Sequence, residues 1–129
     1  MAYTSLESGA YEIYVRAVAG EARKVRLSDL GGIAAVWSRD GRRLFYQSMD
    51  QRLTVVDLHE SDGRLQPSSR HTFGEVVLAD NGIAPSFDVA RDGRVVALVA
   101  PPDTKPEQRA TNVTIVVDLL AALRRRETD

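Results

Sequence analysis

The chain of 129 residues contains no cysteine, which removes disulfides, thiolate metal ligands and thiol nucleophiles together. Absence of cysteine suits either side of a membrane, so the redox setting stays open. Neither sign of charge dominates: 17 basic residues stand against 18 acidic ones, for a net charge of −1. Nucleic-acid binding usually needs a basic excess, and none is present. No apolar run reaches the ~18 residues that would cross a bilayer, so membrane insertion by this segment is not expected. Met1–Ser8 lacks the basic and apolar regions of a signal peptide. Taken alone the chain is cytoplasmic by default; behind a membrane span in a larger protein it would lie outside. Histidine is scarce as well. His59 and His71 stand at no metal-binding spacing with each other or with clustered carboxylates, so no zinc site is expected. No Gly-x-Ser-x-Gly elbow supports a serine nucleophile.

What remains is a soluble, globular composition, 43% hydrophobic and 27% charged, long enough for one domain with a real core. The organising stretch is Val36-Trp37-Ser38-Arg39-Asp40-Gly41-Arg42-Arg43-Leu44-Phe45-Tyr46. Two apolar runs flank an Asp-Gly turn, the signature of a tight β-hairpin. A weaker copy follows as Phe87-Asp88-Val89-Ala90-Arg91-Asp92-Gly93-Arg94-Val95-Val96-Ala97-Leu98.

Residues 1–10 are small and polar and read as a lead-in loop. Strands are expected at 11–18 and 24–28, where β-branched and aromatic residues gather or alternate with polar ones. The first hairpin has arms at roughly 34–38 and 43–48, followed by a strand at 52–58. Ser61-Asp62-Gly63 marks a loop within 59–67, and a short strand is expected at 70–73, with 74–78 extending or following it. The second hairpin occupies about 85–100. The proline-bearing stretch Pro101–Arg109 reads as a polar loop. Val113–Val117 is the strongest strand signal in the chain. Asp118–Arg126 reads as a short C-terminal helix, capped by Asp118 and ending in three arginines that favour the dipole.

The strand after each hairpin also repeats. Ile13–Val18, Leu53–Leu58 and Thr114–Leu119 are versions of one element, spaced by forty and then sixty-one residues. The 101–111 loop accounts for much of the excess over one unit of ~40–45 residues, which is propeller spacing. The expected fold is therefore all-β: a partial β-propeller of about two antiparallel four-stranded blades with a short C-terminal helix. The divisions are 11–33 as the last two strands of a blade, 34–84 as a complete blade, and 85–129 as a further blade lacking its outer strand.

Tyr11–Arg16, the Trp37–Tyr46 hairpin, its copy from Phe87 and the closing strand-to-helix tail together resemble the C-terminal end of bacterial WD40-like β-propellers. These are TolB-type repeats, often fused behind serine/threonine kinase or winged-helix modules. The likeness covers about residues 11–126. Its Trp-Ser-x-Asp-Gly signature departs in the second copy, where Val89-Ala90 replaces Trp-Ser. Kinase motifs are absent, so kinase activity does not carry over.

The resemblance implies a non-catalytic interaction or sensor module beside a signalling domain. Other classes are the propeller portion of a hydrolase or peptidase, and a truncated structural remnant. No catalytic residue, metal ligand or cofactor site is expected. Asp40, Gly41, Asp92 and Gly93 are assigned to turns: Asp bonds its own backbone and Gly supplies positive φ. Trp37 is assigned to the core between blades, and Tyr46 is expected to be the more exposed aromatic. The expected partner is protein, either an upstream domain or a second copy met through open strand edges.

Overall fold

A computed structural model describes residues 1–17, 23–100 and 114–117, the last group by its backbone. Ten strands follow in chain order: β1 (Ala2–Ser5), β2 (Glu12–Val15), β3 (Val25–Arg26), β4 (Gly32–Trp37), β5 (Arg43–Ser48), β6 (Arg52–Ser61), β7 (Arg64–Val77), β8 (Phe87–Val89), β9 (Val95–Val99) and β10 (Thr114–Val117). They form three antiparallel meanders, β1-β2-β3, β4-β5-β6-β7 and β8-β9-β10. No helix occurs among the described residues, and the expected helix at 118–126 and loop at 101–109 lie outside them.

The central sheet is covered on both faces, and strand alternation explains how. Side chains two apart share a face. Leu44, Tyr46, Val56 and Leu58 therefore turn to one side, where they meet Ile13, Val15 and Leu27 of the N-terminal sheet. Phe45, Leu53 and Val55 turn to the other, against Phe87, Val95 and Ala97 of the C-terminal sheet. This is why β5 and β6 carry adjacent apolar residues at Leu44-Phe45-Tyr46 and Val55-Val56. A sheet with one wet face would have alternated.

Short polar links stitch the sheets together. Gly32 N donates to Tyr11 O at 2.8 Å, and Leu78 N donates to Gln51 O at 2.7 Å. Leu78, 1% exposed, also forms a bridge with Val99. In the N-terminal sheet the Ser28 hydroxyl donates to the buried Glu12 carboxylate and accepts from Ile13 N at 2.8 Å. Arg70 of β7 reaches the Asp29 carboxylate and the Leu27 carbonyl.

Several expectations are corrected. Residues 1–10 contain a strand: β1 pairs with β2, Ala2 opposite Val15 through Ser5 opposite Glu12. Its Ala-Tyr-Thr-Ser sequence alternates too briefly to announce a strand; pairing with β2 supplies the missing order. The 59–67 loop is instead the tip of a long β6–β7 hairpin. Asp62 (φ 53°) and Gly63 (φ 70°) form its two-residue turn, both at positive φ as a type I′ turn requires. The short strand at 70–73 is part of the 14-residue β7. β7 tolerates Pro67 and its many charges because it is an edge strand. Tyr46 is buried, 3% exposed, whereas Trp37 is only half-buried at the rim of the N-terminal interface. Tyr46 sits mid-strand between sheets while Trp37 ends β4, and position along the strand decides the order of burial.

Candidate functional site

The two Asp-Gly hairpins lie side by side, one on the central sheet and one on the C-terminal sheet. Each is built by the same local chemistry. In the first, Gly41 N donates to Ser38 O at 3.0 Å with Gly41 at φ 70°. The Asp40 carboxylate accepts from Ser38 Oγ at 2.6 Å and from Arg42 N at 3.1 Å. In the second, Gly93 N donates to Ala90 O at 3.0 Å with Gly93 at φ 86°, and Asp92 accepts from Arg94 N at 3.1 Å. Arg94 Nε also bonds the Asp92 carboxylate at 2.7 Å. The closing bonds differ by one residue. Ser38 N reaches Arg43 O across the first turn, while Ala90 N reaches Arg94 O across the second.

These donors hold both carboxyls below the usual 3.8. For Asp40 the Ser38 hydroxyl is the larger cause, then the Arg42 amide; for Asp92 it is the Arg94 amide, opposed by desolvation and helped by the Arg94 side chain. A carboxylate already engaged by its own turn is a poor general base and a poor cation ligand. Among the described residues no group of three His, Asp or Glu side chains could hold a metal ion.

Between the turns lies a cleft of about 560 Å³. Phe45 and Val89 supply apolar lining, and Arg39, Arg43 and Arg91 supply charge. Arg43 Nε pairs with Asp57 at 3.1 Å. Among the described residues Arg39 and Arg91 make no ion pair, and both are exposed. Asp40, Asp92 and Gly93 line the cleft. Gly41 shapes its turn without lining it, and Trp37 packs on the other face of the central sheet.

His59 and His71 are exposed on β6 and β7. His71 lines a second hollow of about 520 Å³ beside Asp29, Tyr46 and Arg70. There the Arg70 guanidinium is already committed to Asp29 and to the Leu27 carbonyl. Burial raises the Tyr46 phenol above its usual 10.0, so at neutral pH it is a neutral packing group.

Sequence reasoning placed the aspartates and glycines in turns but missed the arginines. The signal was present: Arg-Asp-Gly-Arg occurs at 39–42 and again at 91–94. A third turn, Ser48-Met49-Asp50-Gln51-Arg52, repeats the bonding, with Gln51 N donating to Ser48 O at 3.0 Å and Gln51 at φ 64° in the glycine's place. No protein-family model, curated protein or solved structure matches this chain.

Proposed function

We propose that the chain is the C-terminal part of a WD40-like, TolB-type β-propeller and acts as a non-catalytic protein-interaction module beside a signalling domain. The observation that carries this reading is the recurrence of one unit. Asp-Gly hairpins open both the central and the C-terminal meander, and these sheets pack face to face through one apolar cluster of β5 and β6 with β8 and β9. Radial repetition of four-stranded units is the arrangement by which propellers limit their edges. The turn chemistry supports a role without turnover, since the repeated carboxylates serve the backbone.

Among the described residues the sheets hold three, four and three strands, so the N-terminal and C-terminal sheets each show one strand fewer than a four-stranded blade. The edge strands β1 and β10 then offer edges to a partner domain or to a second copy. Sedimentation equilibrium at micromolar concentration tests the reading. Self-association or marginal stability of this chain is expected. A compact monomer of ordinary stability would show the edges satisfied internally and overturn the propeller assignment.

A further inference from the structure

We propose that the cleft between the two Arg-Asp-Gly-Arg turns binds a short acidic segment of a partner protein, its carboxylates taken by Arg39 and Arg91. The proposal deepens the interaction-module reading and rests on it for the protein nature of the partner.

Charge is concentrated here against the trend of the chain. The residues that line the cleft include three arginines and two aspartates, +3 − 2 = +1, on a chain of net charge −1. Both aspartates are turned to their own turns, where Ser38, Arg42 and Arg94 occupy them. Arg43 shares its charge with Asp57. Arg39 and Arg91 hold corresponding places in the two turns, one before each aspartate, and both line the cleft. Rigid turns thus present two guanidinium groups from adjacent sheets to one space.

The lining decides the class of partner. A guanidinium matches a carboxylate through two parallel hydrogen bonds. Phe45 and Val89 give the cleft an apolar part, which lowers the local dielectric and strengthens the field of the arginines. Its accessible part is chiefly Val89, since Phe45 is 3% exposed, and it suits the methylenes of Glu or a neighbouring aliphatic side chain. A nucleic-acid backbone would use a longer basic stripe and gain little from such a lining. A cleft of about 560 Å³ accommodates a few side chains, which fits a peptide segment and not a globular face.

Fluorescence anisotropy with a fluorescein-labelled peptide of alternating Glu and Leu tests this, beside its Gln–Leu counterpart, a labelled oligothymidylate and inorganic phosphate as competitor. The Glu peptide should bind, weaken with added salt, and lose roughly tenfold in affinity in the Arg39→Gln/Arg91→Gln variant, as two partly exposed ion pairs allow. The Arg39→Lys/Arg91→Lys variant should recover part of the loss. Arg16→Gln/Arg26→Gln, at exposed arginines elsewhere, should bind as the original chain does. No binding of the Glu peptide, equal binding by the Arg39→Gln/Arg91→Gln variant, or tighter binding of oligothymidylate or phosphate would each overturn the proposal. Because neither arginine lies in an apolar cluster, sedimentation and thermal melting of the variants should match the original chain. A failed peptide assay with expected sedimentation therefore defeats the cleft proposal alone, and anomalous sedimentation with intact binding defeats the propeller reading alone.

Discussion

At the scale of single residues, the Asp-Gly turns are held by charge-assisted bonds whose pH dependence has a definite sign. Asp40 and Asp92 titrate below 3.8 in the folded chain. The stability each contributes is therefore present above the unfolded value and lost as pH falls below it toward the native value. Urea midpoints should decline through that acid interval, and the Asp40→Asn/Asp92→Asn variant should start lower at neutral pH and decline less steeply. Trp37 is the second residue-scale case. Its ring is half-buried against Leu44, Val56 and their neighbours. Trp37→Ala should cost about 1–3 kcal/mol, below the ~3–5 kcal/mol of a fully buried aromatic. As the only tryptophan, it should be partly quenched by acrylamide in the folded chain, which checks its exposure directly.

At the scale of elements, two glycines separate steric from conformational need. A Cβ on Gly32, at the start of β4, would stand 2.7 Å from the Tyr46 ring and 2.9 Å from Ile13 Cγ1. Both neighbours are buried and cannot withdraw. Gly32→Ala should lose about 1–3 kcal/mol by overpacking the interface between the N-terminal and central sheets. Gly41 has nothing within 4 Å of its ideal Cβ but sits at φ +70°. Gly41→Ala should lose about 1 kcal/mol through backbone strain alone. Chemical denaturation of the two variants, combined with Tyr46→Leu, distinguishes the causes: shrinking Tyr46 should relieve Gly32→Ala and leave Gly41→Ala unchanged.

At the scale of the whole molecule, the central sheet couples two interfaces through adjacent residues. Leu44 and Phe45 are neighbours in sequence, yet each belongs to a different apolar cluster. Loosening either face removes support from the same strand, so the described sheets should unfold as one cooperative unit. Trp37 fluorescence reports the N-terminal interface, and far-UV circular dichroism reports the whole chain. Coincident denaturation curves are expected; an earlier fluorescence transition would show that the N-terminal sheet opens separately.

Much of the all-β character was legible because β-branched runs and turn residues act locally. Asp40-Gly41 and Asp92-Gly93 each put a glycine at positive φ in a turn, and apolar residues rich in aromatic and β-branched types fill the arms beside them. Val113–Val117 needed no neighbour to be read as a strand, and the backbone of Thr114–Val117 is one. The amino-acid sequence by itself thus determined the hairpins, the strand character of their arms, and the turn role of both aspartates. Three things waited for the fold. β1 gains its order from pairing with β2, which short local patterns cannot encode. The ranking of Tyr46 as buried above Trp37 depends on which sheet covers each end of a strand. The meeting of Arg39 with Arg91 across one cleft depends on face-to-face packing of sheets whose hairpins are far apart in the chain. Local backbone preference is written in neighbouring residues; proximity between distant ones is created only when the shared apolar faces close.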